Sequence, residues 1–154
     1  MSVEKAQSVT IKPITKDNWK EAIALEVNDN QKSYIASNIH SIAESSFYES
    51  AYNYGIYDND QMVGFILIYK PPEEPEIGHI VRFMIDKNHQ RKGLGKKGII
   101  EIIDTLVSDQ RKKFVTLSVI PENEGARAFY TDVGFVNTKE IIEGELKYRY
   151  TLTS

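Results

Sequence analysis

Apolar and polar positions alternate from Val9 to Ile14, with Val9, Ile11 and Pro13 set against Thr10 and Lys12, which predicts a first strand. Thr15 or Asp17 is placed to cap the helix that follows. That helix carries Trp19, Ala22, Ile23 and Glu26, and Asp29-Asn30 breaks it. A second helix is predicted from Ser33 to Glu44, with Tyr34, Ile35, Ile39, Ile42 and Ala43 as its apolar face. Tyr52–Tyr57 and Met62–Tyr69 read as hairpin strands around the polar turn Asp58-Asn59-Asp60-Gln61. Pro71, Pro72 and Pro75 make 71–76 a loop, because proline cannot donate to a sheet ladder.

The stretch Ile77–Ile85 is nearly continuous in apolar residues at Ile80, Val81, Phe83, Met84 and Ile85, as a strand covered on both faces requires. A helix follows from Leu94 to about Ser108, with Ile99, Ile102, Ile103 and Leu106 forming one stripe at helical spacing. Val115–Ile120 is another apolar strand, ended by Pro121, and Asn123 to about Val133 is a short helix closed by Gly134. Phe135–Ile142 and Leu146–Leu152 form a terminal hairpin around Glu143-Gly144-Glu145. Residues 1–8 read as a frayed lead-in.

The resulting order, β-α-α-β-β-β-α-β-α-β-β, predicts a mixed α/β fold. Hairpins at both ends flank a single right-handed, parallel β-α-β crossover. A chain of 154 residues fits one domain, 1–154. The 41% hydrophobic and 27% charged content is that of a globular protein, and no run of 18 apolar residues predicts a membrane span. The first residues lack the apolar centre of a signal peptide, so the cytoplasm is the expected compartment. With no cysteine there is no disulfide, no thiolate metal site and no cysteine nucleophile; no metal is expected. A net charge of −3 argues against nucleic acid as the main partner and mildly favours a cationic one.

The densest chemistry lies between Ile85 and Leu94, where Gln90, Arg91 and Lys92 precede Gly93-Leu94-Gly95-Lys96. A helix start leaves N–H groups unpaired and carries the positive end of the dipole, so a basic, glycine-bearing turn there is a seat for phosphate oxygens. Gly93 to Gly98 spells G-x-G-x-x-G, which invites a dinucleotide reading. The context opposes it: seven residues separate Ile85 from Gly93, whereas that fingerprint needs its first glycine at the strand end. A P-loop is excluded because G-x-x-x-x-G-K-[ST] is absent. Taken alone, the turn is equally well a plain helix start.

A second motif, Asn123-x-x-Ala126-x-x-x-Tyr130-x-x-x-Gly134-Phe135, follows the next strand. Together with Gln90-x-x-Gly93-x-Gly95 it resembles the GNAT superfamily of acetyl-CoA-dependent N-acetyltransferases, and the order of elements matches from about Val9 to Leu152. The resemblance implies a fold of about seven strands and four helices, with strands four and five splayed apart. It implies that the turn Gln90, Arg91, Lys92, Gly93, Leu94, Gly95, Lys96 binds the CoA pyrophosphate through backbone N–H groups. By the same likeness the main chain of Phe83, Met84 and Ile85 holds the pantetheine arm, and Asn123 contacts the cofactor. A backbone N–H in the splay would polarise the thioester carbonyl. Tyr130 matches the tyrosine that protonates the leaving thiolate, and a phenol is neutral and able to donate at pH 7. It also reads as a core aromatic beside Phe129.

An alkylamine, with a pKa near 10.4, needs a base or a water chain before it can attack. His79, on the fourth strand, is the first candidate, though it equally reads as a histidine on the sheet surface; Glu76 is the next, and a water the third. Neither His89 in the turn nor His40 on a helix is expected as a base.

Gln31-Lys32-Ser33-Tyr34-Ile35 and Arg82-Phe83-Met84-Ile85-Asp86 resemble the corresponding stretches of bacterial spermine/spermidine N-acetyltransferases. That likeness implies a small primary amine, a polyamine, as acceptor. Glu26, Asp29, Glu44, Glu49, Glu73, Glu74 and Glu76 supply negative charge in that half of the chain, attractive to a polycation but equally a solvated surface. A protein N-terminus or lysine, an aminoglycoside, or a non-catalytic acyl-CoA-binding role are the alternatives. Homodimer formation is expected by analogy with relatives, supported by the terminal hairpin and by Tyr148 and Tyr150 as exposed residues.

Overall fold

A computed structural model describes residues 8–109 and 111–152. The lead-in expected over 1–8 lies, apart from Ser8, outside the described residues. The elements are β1 (Val9–Pro13), α1 (Trp19–Ala24), a 3-10 turn (Asp29–Gln31), α2 (Asn38–Ser45), β2 (Ala51–Asp58), β3 (Gln61–Tyr69) and β4 (Ile77–Ile85). They continue with α3 (Leu94–Val107), β5 (Phe114–Val119), α4 (Glu124–Val133), β6 (Val136–Ile142) and β7 (Glu145–Thr151).

The strands form one seven-stranded sheet in the order β1-β2-β3-β4-β5-β7-β6, in which only β4 and β5 pair in parallel. This is the predicted mixed α/β architecture, with α3 as the crossover that a parallel pair requires. Ile99, Ile102, Ile103 and Leu106 of α3 are buried against one face of the sheet, with Ile56, Ile66 and Val115, and Phe129 and Tyr130 of α4 pack on the same cluster. The other face carries Phe65, Leu67 and Met84 under Ala22 of α1 and Ile42 of α2. Apolar burial on both sides of β3 and β4 explains why their sequences are apolar at nearly every position.

The region of α1 and α2 departs from prediction. The helix predicted over Ser33–Glu44 starts only at Asn38, because the Ser37 hydroxyl accepts from the His40 N–H at 3.1 Å and fixes an N-cap in mid-pattern. The residues before it, Ser33 to Ala36, are loop, and Tyr34 and Ile35 are not part of a helix face. The inward face of α2 is largely polar: Asn38, Ser41 and Ser45 are buried beside Ile42, while Ile39 is 58% exposed. Their short side chains are satisfied locally, Asn38 Nδ2 donating to Ala22 O at 2.8 Å and Ser41 Oγ to Ser37 O at 3.0 Å. The α1 helix is also short, ending at Ala24, and Thr15 does not cap it; the Asn18 side chain accepts from Thr15 N at 2.7 Å.

The terminal hairpin turns through Glu143 and Gly144, both at positive φ (51° and 82°), the conformation of a two-residue hairpin turn. Tyr148 and Tyr150 are not exposed. Tyr148 is 2% exposed, with its hydroxyl accepting from Arg127 Nε at 3.2 Å, and Tyr150 packs on Phe135 with ring centroids 5.4 Å apart. Strand alternation sends both toward the α4 side, so the outward apolar residues of the hairpin are Val136, Ile141 and Ile142.

Candidate active site

The parallel pairing of β4 and β5 runs only from Ile77↔Phe114 to Ile80↔Leu117. Beyond that rung β4 continues to Ile85 and β5 to Val119 without a partner on their facing edges. The separation starts at an irregularity in β4. Opposite β3, Ile80 pairs with Ile68 and Arg82 with Leu67, so Val81 is an extra residue and the strand bulges. A bulge bends its strand, and here the bend coincides with the parting of β4 from β5.

The gap opens into a cleft of about 1040 Å³. Its walls come from Val81–Ile85 of β4, Leu117–Val119 of β5, the loop through Tyr34 and Ile35, the turn after β4, and α4. Of the residues singled out from sequence, Phe83, Met84, Ile85, Gln90, Arg91, Gly93, Gly95, Lys96, Asn123 and Tyr130 line it together. Lys92 is exposed at the turn, and Leu94 is buried in the core at 1% exposure; neither side chain is on the wall.

The turn is built by Asp86, whose Oδ1 accepts from Glu26 N at 2.9 Å and Oδ2 from Asn88 N at 3.2 Å. Arg91 and Gly93 then take positive φ, 64° and 77°. Gly93 is the N-cap residue of α3 and offers no side chain, so the first N–H groups of the helix face the cleft uncapped. A Cβ at Gly93 would meet nothing within 4 Å, so the glycine serves the left-handed backbone rather than space. Among the described residues the Arg91 and Lys92 side chains have no acid partner, whereas Lys96 Nζ sits 3.3 Å from Asp132 Oδ2. On the far wall Asn123 caps α4, its Oδ1 accepting from Ala126 N at 3.1 Å, which leaves its amide nitrogen for other contacts.

Tyr130 stands in an aromatic group, with ring centroids 5.2 Å from Phe129, 5.6 Å from Phe135 and 6.5 Å from Phe83, while Phe83 and Phe129 stack at 5.9 Å. Its hydroxyl has no hydrogen-bond partner among the described residues. Burial pushes the phenol well above the usual tyrosine range, so it stays protonated at neutral pH.

His79 does not line the cleft. Its Nδ1 lies 2.8 Å from Thr116 Oγ1 on the neighbouring strand. Burial, reinforced by Lys147 and Arg82, lowers its pKa to about 4, so the ring is neutral at pH 7 and a weak base. Glu76 also lies elsewhere, its carbonyl accepting from Lys113 N and Phe114 N at 2.7 and 3.0 Å. Three of the seven acids picked out for attracting a cation are paired: Glu26 with Lys87 at 3.4 Å, Asp29 with Lys32 at 3.2 Å, Glu44 with Arg82 at 3.6 Å. None of the seven lines the cleft. Among the described residues the carboxylate without an ion-pair partner that does is Glu145, at the start of β7. In the sequence it was hidden in the hairpin turn Glu143-Gly144-Glu145. Its one signal is register, since it opposes Ile142 one rung beyond Val119↔Leu146 at the open end of β5.

Residues 16–135 match the model of the GNAT acetyltransferase family. This chain belongs to that family. As a GNAT enzyme it is an N-acetyltransferase. It is 33% identical over 136 residues to the spermine/spermidine N(1)-acetyltransferase of Bacillus subtilis, covering 83% of this chain and 88% of the relative. A probable spermine N(1)-acetyltransferase from Bacillus subtilis subsp. natto is 34% identical over the same coverage. Among solved structures, spermidine N-acetyltransferase from Vibrio cholerae in complex with CoA and spermine superposes with a TM-score of 0.74 at 16% identity, covering 94% of this chain and 95% of that one. Aminoglycoside acetyltransferase AAC(6')-Ib in complex with coenzyme A gives 0.79 at 17% identity, with the same coverage. These two likenesses establish the fold, and the GNAT fold is the one inferred from the motif pair.

Proposed function

We propose that this GNAT enzyme transfers the acetyl group of acetyl-CoA directly to a primary amine of a polyamine such as spermidine or spermine. The observation that carries the reading is the parting of β4 and β5 beyond Ile80 and Leu117, flanked by the uncapped start of α3 and by Tyr130. The residues present fit the cofactor. The N–H groups from Gly93 to Lys96, with Arg91 and Lys92, suit a pyrophosphate, and the edge of Phe83–Ile85, which has no strand beside it and whose Ile85 carbonyl alone is taken, by Gln90 Nε2, suits an amide-bearing arm added like a strand. The amide nitrogen of Asn123 is a further donor. When bound, acetyl-CoA supplies an acetyl group activated as a thioester.

The chain's own residues account for proton handling. As the C–S bond breaks and the C–N bond forms, the Tyr130 Oη–H is the donor to the leaving sulfur, and its burial-raised pKa keeps that proton in place at neutral pH. Glu145 holds the polyamine at the cleft wall through an ammonium other than the reacting nitrogen. The reacting amine gives one proton to water before it attacks, and the proton it sheds once the C–N bond has formed returns through water to the Tyr130 oxygen; His79, neutral and turned onto Thr116, takes no part. The names of the two Bacillus relatives support the polyamine class. An acceptor panel with acetyl-CoA, read by free-thiol release, tests it. Spermidine and spermine are expected to give the highest kcat/KM, above a peptide N-terminus, a lysyl peptide and an aminoglycoside. Turnover confined to one of the latter overturns the polyamine assignment.

A further inference from the structure

The Gln90 side chain is engaged at both ends. Its Nε2 donates to Ile85 O at 2.9 Å and to Gln31 Oε1 at 2.9 Å, and its Oε1 accepts from Asn28 Nδ2 at 2.8 Å. Gln31 Oε1 in turn accepts from the Asn28 backbone N–H at 3.2 Å, closing a ring of the Gln90 and Gln31 side chains through both the backbone and the side chain of Asn28. The ring joins three parts of the cleft: the end of β4, the turn that follows it, and the loop leading to Tyr34 and Ile35. That loop has little regular structure of its own beyond the 3-10 turn at Asp29–Gln31. A second tie lies beside the ring, through Glu26 N to Asp86 Oδ1 at 2.9 Å and Lys87 N to Glu26 O at 2.7 Å.

We propose that Gln90 is a positioning residue that locks the acceptor-side loop to the cofactor-side turn, so that acetyl-CoA and amine bind cooperatively. This rests on the reading of the turn as the pyrophosphate site, and takes the loop through Tyr34 and Ile35, which lines the same cleft, as a wall that the acceptor meets. A side chain with both ends engaged has nothing left for a phosphate, so the contribution of Gln90 to the cofactor is made by its backbone. An amide suits the task because it donates to two oxygens and accepts from a third group at once. A carboxylate there would face the oxygens of Ile85 and Gln31. Order in the turn and order in the loop are one event, and the coupling is reciprocal: each ligand tightens the other by the same factor.

The test measures the Kd of CoA by calorimetry with and without spermidine, plus steady-state kinetics and melting temperature, in the wild type, Gln90→Ala, Gln90→Glu and Asn28→Ala. In the wild type, spermidine is expected to tighten CoA binding. In Gln90→Ala the amine KM is expected to rise about tenfold, the worth of one or two net hydrogen bonds, while the Kd of CoA alone moves less than about threefold. The coupling factor should fall toward one with the melting temperature held by the Asp86 tie. Asn28→Ala should behave alike, and the Gln90/Asn28 double variant should add nothing further. Three results overturn the proposal: CoA binding weakened with coupling intact, a melting temperature and kcat that fall together with no change in amine KM, or no effect. A wild type that fails to bind CoA overturns the underlying reading as well, and is distinguishable because it appears before any substitution.

Discussion

Ile80 and Leu117 form the last paired rung between β4 and β5, and past them the two strands share no hydrogen-bonded register. The main-chain groups of Phe83 to Ile85 on that edge therefore lack a strand partner, while those on the β3 edge are paired. Added CoA is expected to slow amide hydrogen exchange in segments covering 81–85 and 93–97. Exchange in β2 and in the paired part of β3 should be unchanged. Protection absent from 81–85 would remove the arm from this edge.

In the proposed mechanism Tyr130 is the general acid. Replacing it with phenylalanine keeps the ring contacts to Phe83, Phe129 and Phe135 and removes only the hydroxyl. Turnover is expected to fall about a hundredfold or more, with acetyl-CoA affinity altered less than about threefold. Equal losses in kcat and in cofactor binding would assign Tyr130 to binding instead.

His79 predicts an acid-sensitive stability. Its pKa is 6.5 in an unfolded chain and about 4 in the fold, so between those values the unfolded state binds more protons. Stability is therefore fully present above pH 6.5 and is lost as pH falls toward about 4, by up to about 3 kcal/mol. Urea unfolding midpoints measured across this window should fall less steeply for His79→Gln. Parallel profiles for the two proteins would show that His79 titrates normally.

In the proposed mechanism the Glu145 carboxylate, on the cleft wall, meets the acceptor. Glu145→Gln is isosteric and leaves no broken ion pair behind, since the carboxylate has no partner among the described residues. The amine KM is expected to rise about three- to tenfold, with acetyl-CoA KM unchanged, the size of one charged hydrogen bond at a half-open site. The rise should be steeper for spermine than for a monoamine. An unaltered amine KM would leave the cleft without a carboxylate for the ammonium.

The half of the cleft around β4, the glycine turn and α3 was legible in sequence and the half around α1 and α2 was not. Strand β4, the glycine turn and α3 were readable because apolar runs and a helical stripe lie on elements buried by the sheet, where period and burial agree. The motif pair then tied the turn to Asn123 and Tyr130 across a gap no local pattern spans. Around α2 the same logic misled. Tyr34, Ile35 and Ile39 have helical spacing, yet Ser37 caps the helix after the first two, and Asn38, Ser41 and Ser45 take the inward face. Polar residues satisfied by nearby carbonyls carry no hydrophobic signature, and loop residues that line a cleft mimic a helix stripe. The burial of Tyr148 and Tyr150 was likewise a matter of strand parity, which depends on tertiary placement of the hairpin.

The bulge at Val81 also sets a phase. Val81 and Arg82 are consecutive yet both turn toward the α1–α2 side, Val81 packing in that cluster and Arg82 reaching Glu44 of α2. Past them the alternation resumes inverted, so that Phe83 and Ile85 join Ile80 on the α3–α4 side while Met84 faces the opposite layer. An uninterrupted strand would exchange these assignments, withdrawing Phe83 from its stack with Phe129 and sending Met84 toward α3. One surplus residue thus acts as a parity switch: the count of amino acids between Ile80 and Ile85, as much as their identity, decides which layer of the fold each side chain joins.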